Sequence, residues 1–217
     1  MDDPLPLTPL GRSLDMSLRE WIEYYQANVA MKQVYYRGVP TWKNVFDLWV
    51  IQEIIFDTRP QIVVEIGTKF GGTTIWLSDT MKTIASGLVI SMDLNRPRID
   101  FPANVQFIQG DSIAPHTVSQ VKGLCEGRRT MLMTDGNHAA EHVFQELTLY
   151  TPMIALGCYF IVEDGIVDVM DWPQYQPGPL VAVQRFLQGN DSFAIDESRE
   201  KFILTYAPGG FLKRVRD

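Results

Sequence analysis

The run Val63-Val64-Glu65-Ile66-Gly67-Thr68-Lys69-Phe70-Gly71-Gly72-Thr73 constrains the fold more than any other part of the chain. It is an apolar strand that closes on an acid and breaks into a glycine-rich turn ahead of a helical pattern. Parallel α/β sheets hold nucleoside cofactors with this arrangement. Gly67 allows a sharp turn and leaves no side chain between backbone and ligand, while Gly71 and Gly72 let the next helix start close to the strand. The spacing is not that of the dinucleotide fingerprint, because Gly-x-Gly-x-x-Gly needs a glycine where Lys69 stands. Glu65 beside the turn suits a positively charged ligand, such as a sulfonium amino acid, better than a pyrophosphate.

Around this unit the pattern alternates. Apolar runs bounded by glycine and proline predict strands over 62–66, 88–94, 105–109, 131–135, 159–163 and 202–206. Apolar residues at three- and four-residue spacing predict helices over 17–31, 45–58, 72–84, 139–150 and 180–187. Such alternation implies an α/β fold: a mostly parallel, doubly wound, Rossmann-like sheet with helices on both faces. No internal repeat or low-complexity tract interrupts it. The chain reads as one domain, with residues 1–58 an N-terminal helical extension and 59–217 the binding core.

In such a sheet the ligand lies beyond the carboxyl ends of the strands, where the strand order reverses. Successive strands here end at or near Glu65, Asp93, Asp111, Asp135 and the pair Glu163-Asp164. A row of carboxylates is costly through mutual repulsion unless something positive or hydrogen-bonding fills the space between them. Asp93 is placed to accept from ribose hydroxyls, and Asp111 with Ser112 to cap a helix or face an adenine amine. Asp135, Glu163 and Asp164 are oxygen ligands of the kind that magnesium or another hard divalent ion takes. His138, three residues past Asp135, is positioned to accept a proton near neutral pH. His138 to His142 also spells H-x-x-E-H, the inverted zinc-peptidase signature, but three fixed positions carry little information, and Glu141 and His142 are read as exposed helix residues.

Composition narrows the partners. A formal net charge of −7 over 217 residues argues against broad nucleic-acid or anionic-membrane binding. Lys213, Arg214 and Arg216 are read as a solvated terminal face. The N-terminal Met1 to Pro6 lacks the basic start and apolar run of a signal peptide, and the apolar run Met153 to Val162 is too short to cross a bilayer. Two cysteines, Cys125 and Cys158, do not make a disulfide framework and are read as packing residues of a cytoplasmic protein. Aromatic and proline-rich stretches at 35–42 and 170–177 would cover a ring-shaped acceptor, or pack on the N-terminal helices or across the interface of a homo-oligomer.

Four segments together, residues 65–73, 135–138, 156–164 and 202–213, resemble the cephalosporin hydroxylase family, also named for rhamnosyl O-methyltransferases. The resemblance runs from about Tyr35 to the C-terminus. It implies the class I S-adenosylmethionine-dependent methyltransferase fold, with adenosylmethionine at Glu65, Gly67, Asp93 and Asp111; Thr68, Gly71 and Ser112 are expected to complete the cofactor site. It further implies magnesium at Asp135, Glu163 and Asp164, and His138 as the base that deprotonates a hydroxyl of a small cyclic metabolite, a sugar or a phenol. Two alternatives stay open: a partner protein, hydroxylase-associated or non-catalytic, that binds the cofactor only to support another protein, and a nicotinamide-dependent oxidoreductase, against which Lys69 counts.

Overall fold

The computed structural model describes residues 15–216, so the acidic start Met1 to Pro6 lies outside the described residues. The first helix, α1 (Leu18–Tyr25), opens on a capping box in which Ser17 and Glu20 satisfy each other's backbone N–H groups. It does not run on as one α-helix to Met31. Gln26–Ala30 widens into a π-helical turn, a device found often at functional sites. A small hairpin, β1 (Tyr35–Tyr36) and β2 (Val39–Pro40), leads into α2 (Val45–Thr58), capped by the Asn44 side chain.

Among the described residues the main sheet has seven strands, in the order β5 (Val105–Gln109), β4 (Leu88–Asp93), β3 (Ile62–Ile66), β6 (Thr130–Thr134), β7 (Tyr159–Val162), β9 (Phe211–Arg214) and β8 (Phe193–Ile195). Strands β3, β4, β5, β6 and β7 are parallel. The edge is antiparallel, β9 pairing with β7 and β8 with β9. Every residue of β3, β6 and β7 is buried, which is why these strands read as unbroken apolar runs rather than alternating ones. Strand order reverses between β3 and β6, putting Gly67 and Asp135 side by side at the switch point. Asp135 N–H donates to Ile66 O at 2.9 Å, and Glu163 N–H donates to Thr134 O at 3.0 Å, so the strand ends are laced in register. Helices α3 (Gly72–Ile84), α4 (Pro115–Cys125), α5 (Ala140–Tyr150), the one-turn α6 (Ile166–Val169) and α7 (Pro179–Gln188) connect the strands. Cys125 and Cys158 are free and buried.

The expected last strand over 202–206 is absent. Ile203 instead adopts a positive φ and is 77% exposed. Tertiary bonds replace the sheet ladder here: Asp47 Oδ2 accepts the Tyr206 N–H at 2.8 Å and Asn44 Nδ2 donates to Leu204 O at 3.1 Å. The segment is thereby tied to the start of α2, and Phe211–Arg214 takes the place beside β7. Of the basic terminal residues, Lys213 and Arg214 lie half-buried in β9 rather than on a solvated face, whereas Arg216 is exposed as expected and pairs with Asp191 at 2.6 Å. Helix α4 has no side-chain cap and was not legible, although Thr117, Val121 and Cys125 share its buried face. Among the described residues, no helix is long and apolar enough to cross a membrane.

Candidate functional site

A cavity of about 510 Å³ opens beyond the carboxyl ends of the central strands, lined among others by Gly67, Asp93, Asp111, Ser112 and Asn137. Gly67 has φ +97, and a Cβ there would collide with the Asp135 carbonyl, so both the turn and the close approach require glycine. Asp93 braces this turn, accepting from Lys69 N–H at 2.9 Å and from Asn95 N–H at 3.0 Å. Lys69 adopts a left-handed backbone at φ +49, doing without glycine what the dinucleotide fingerprint does with one. Its ammonium lies over the Trp42 ring, 5.1 Å from the centroid.

Three residues expected at this cavity do not line it. Glu65 is turned into the protein, where its Oε2 accepts from Thr74 Oγ1 at 2.5 Å and Ser91 Oγ at 2.6 Å. Burial pushes its carboxyl up to about 7 against those two hydrogen bonds. Thr68 is buried with its hydroxyl 2.6 Å from Ser91 Oγ, and Gly71 serves as the left-handed N-cap of α3. All three fix the shape of the loop from behind. The register explains it: Glu65 precedes the turn by two residues on a strand buried on both faces, so its side chain has no route to the cavity.

Asp135 and Gly136 line this cavity and also a second one of about 230 Å³, whose wall carries Trp42, Phe70, His138, Asp164, Tyr175 and Tyr206. Asp135, His138 and Asp164 each bring a ligand atom within 4.8 Å of the others. His138 Nε2 lies 3.1 Å from Asp164 Oδ2 and 3.5 Å from Asp135 Oδ1. Burial would lower this imidazole, but the two carboxylates outweigh it and push it up to about 9. Burial and the Asp135 charge push Asp164 up to about 7. Asp164 also holds a positive φ of 58, a strained conformation of the sort that collects at functional sites.

Glu163, expected as a third ligand, is not in that cluster. Its Oε2 meets Lys43 Nζ at 2.5 Å, and the same ammonium lies 2.6 Å from Asp135 Oδ2. The sequence reading overlooked Lys43, a lone cation in the loop before α2 that crosses more than ninety residues of chain to reach its partners. Against burial, Lys43 and His138 hold Asp135 down at about 2, whereas Glu163 is raised by burial. The second Glu163 oxygen, Oε1, is buried and has no hydrogen-bond partner. An orphan carboxylate oxygen next to two more carboxylates and an imidazole is a donor set that fits a hard divalent ion, whether Glu163 joins it or stays with Lys43.

Removing one partner from such a buried set is expensive. In protein stripped of divalent ions, Lys43→Met should destabilise by about 3–5 kcal/mol, because it leaves the buried Glu163 carboxylate without its counter-charge and Asp135 with His138 alone. Chemical denaturation checks this, and an unchanged midpoint would show that Lys43 does not bridge them.

The second cavity has further polar groups without partners. Gln26 and Tyr206 line it, and Gln26 Oε1 and Tyr206 Oη are buried and unpaired. Tyr206 is held edge-on against Tyr25, ring centres 6.1 Å apart, and Gln26 opens the π-helical turn. A third cavity of about 330 Å³, with Met31, Trp172 and Tyr175 on its wall, meets the second at His138 and Asp164. The aromatic stretches therefore split: Trp42 and Tyr175 face open space, while Met170 is buried against Ile22 and Tyr25. Glu141 is exposed as expected, but His142 is turned inward, 3.2 Å from the fully buried Glu146.

Comparison with known proteins agrees with this architecture. The family model described as Rhamnosyl O-methyltransferase/CmcI matches residues 28–215. A protein of Mycobacterium tuberculosis named Rhamnosyl O-methyltransferase is 30% identical over 216 residues, covering 94% of this chain and 87% of its own length. A counterpart of the same name from Mycobacterium leprae is 28% identical over 212 residues, covering 94% and 93%. A solved cmcI structure named with SAH superposes with a TM-score of 0.66 at 22% identity over 98% of each chain, which speaks for the fold.

Proposed function

The chain belongs to the rhamnosyl O-methyltransferase/CmcI family and is an S-adenosylmethionine-dependent O-methyltransferase; from that premise we propose that it methylates a hydroxyl of a small cyclic metabolite, a sugar ring foremost, with a divalent ion and His138 preparing the oxygen. One observation carries the reading. Asp135 and Gly136 are shared by the two cavities, so a cofactor in the first and an acceptor in the second meet at the Asp135, His138 and Asp164 cluster.

Bound adenosylmethionine supplies an electrophilic methyl group, and a bound magnesium ion supplies the positive charge that makes a nearby hydroxyl acidic. The Gly67 turn, Asp93 and the Asp111-Ser112 corner are the parts of this chain that would hold the cofactor, and Asp135 with Asp164 the ion. Glu163 stands ready as a third oxygen ligand through its unpaired Oε1. His138 Nε2 takes the hydroxyl proton. Without an ion that nitrogen is held protonated by the two carboxylates, so the base is free only when their charge is met elsewhere. Trp42, Phe70 and Tyr175 stack on the acceptor ring and keep water out, and most of the rate gain comes from alignment and from the field at the oxygen. A sugar ring fits those aromatic faces.

His138→Ala should lower turnover about 10²- to 10⁴-fold while S-adenosylhomocysteine still binds. Treatment with a chelator should stop methyl transfer, and excess magnesium should restore it. Both are read by transfer of labelled methyl groups to a panel of glycosides and phenols. Full activity in chelator would overturn the metal site, and an unaffected His138→Ala would overturn the base.

A further inference from the structure

Three residues four apart on one face of α5, His142, Glu146 and Tyr150, converge on Ser112 at the wall of the cofactor cavity. Glu146 is wholly buried. Its Oε1 accepts the Ser112 hydroxyl at 2.5 Å, and its Oε2 accepts the Thr134 hydroxyl at 2.6 Å. The Tyr150 hydroxyl donates to the Ser112 carbonyl at 2.6 Å. His142 Nε2 lies 3.0 Å from Ser112 Oγ and 3.2 Å from Glu146 Oε1, with Asp111 Oδ1 at 4.0 Å. Among the described residues, His142 is the one cationic side chain paired with Glu146.

The proton positions follow from what each group can do. A carboxylate only accepts, so the Ser112 and Thr134 hydroxyl protons are committed to Glu146. Ser112 Oγ has then given its proton away, and His142 must carry hydrogen on Nε2 to bond with either neighbour. This is not a hydrolytic triad. There the acid and the serine meet opposite nitrogens of the imidazole, and the serine proton passes to the ring; here both meet the same nitrogen, and the proton goes to the acid. Burying a carboxylate to dock a helix is poor economy, since an apolar side chain of similar size does as well or better. What the carboxylate achieves is control of direction: Ser112 cannot turn its proton toward the cavity.

Resting on the assignment of this cavity to adenosylmethionine, we propose that Glu146 and His142 are positioning residues for base recognition, fixing the Ser112 hydroxyl as an acceptor beside the Asp111 carboxylate so that this corner takes the exocyclic amine of adenine in preference to the carbonyl of a 6-oxopurine. The Asp111 carboxylate and the remaining Ser112 lone pair accept from an amine. Against a carbonyl they would face another acceptor, and the Ser112 hydroxyl proton that could relieve it is held by Glu146.

The test is calorimetric titration of the full chain with S-adenosylhomocysteine and with S-inosylhomocysteine, which differ in the group on C6 and in the hydrogen that the 6-oxopurine carries on N1. The wild type should favour the adenine form by about 10- to 100-fold. Glu146→Gln introduces an amide donor beside Ser112 and frees its hydroxyl to turn outward, and His142→Ala removes the second clamp. Each should cut the preference at least about fivefold, mostly through weaker binding of the adenine form. A merely structural role would lower melting temperature and leave the ratio of the two affinities untouched. Wild-type preference in both folded variants, or no preference in the wild type, overturns the proposal. If Glu146→Gln does not fold, His142→Ala decides alone, because His142 sits at the cavity wall. Failure of the wild type to bind either ligand would instead overturn the cofactor assignment, and this inference with it.

Discussion

Asp135→Asn should reduce methyl transfer by about 10³-fold or more and leave S-adenosylhomocysteine affinity within a few-fold of wild type. The size of the first effect comes from how many tasks the one carboxylate has. Asp135 Oδ2 anchors Lys43, its Oδ1 faces His138, and the residue lines both cavities. An amide keeps the shape and removes the charge, so a bound ion would lose the ligand proposed for it and the imidazole loses a carboxylate that orients it. The small second effect follows from position. The groups proposed to face the base and ribose, Asp111, Ser112 and Asp93, are held by contacts that do not include the Asp135 side chain. Parallel measurement of turnover and of binding separates the two. Loss of both together would mean that Asp135 holds the cofactor rather than the reacting oxygen.

Gly67→Ala should damage fold and function at once. Its φ of +97 is a region that side chains disfavour, and the added methyl would drive into the Asp135 carbonyl. Neither atom can step aside cheaply: Gly67 N–H donates to Met92 O at 2.9 Å, and Asp135 N–H donates to Ile66 O at 2.9 Å, so both strand ends are pinned. Strain and overpacking together should destabilise by roughly 3 kcal/mol or more. Whatever relaxation does occur pushes β3 and β6 apart at the switch point, the place where the cavities meet. Denaturant melts and S-adenosylhomocysteine titration should therefore both fail badly. A variant with near-normal stability and binding would contradict the close approach on which the site depends.

The sheet was legible because its central strands are buried on both faces, and buried parallel strands announce themselves as apolar runs that stop at polar ends. The same ends located Asp93, Asp111, Asp135 and the Glu163-Asp164 pair, since a strand terminus fixes where the next one or two side chains can go. Long-range side chains were not legible. Lys43 sits in a loop with no periodicity, and nothing local distinguishes it from a surface lysine until β6 and β7 bring two carboxylates to it. Glu146 and His142 follow helical spacing, yet only the packing of α5 against Ser112 shows that this acidic residue points inward. Glu65 was misplaced because it was judged by its distance from the turn along the chain rather than by the face of the strand it occupies. The last strand was misplaced for a different reason. Residues 202–206 have the composition of a strand, but Asp47 and Asn44 claim their backbone groups first.

Sequence patterns also left the class of cofactor open between adenosylmethionine and a nicotinamide dinucleotide, with Lys69 the main discriminator. Titrating purified protein with S-adenosylhomocysteine, and separately with NADH, by calorimetry tests that choice most directly. Saturable micromolar binding of S-adenosylhomocysteine with no heat from NADH is the expected result. Binding of NADH with none of S-adenosylhomocysteine would contradict the methyl-transfer account at its root.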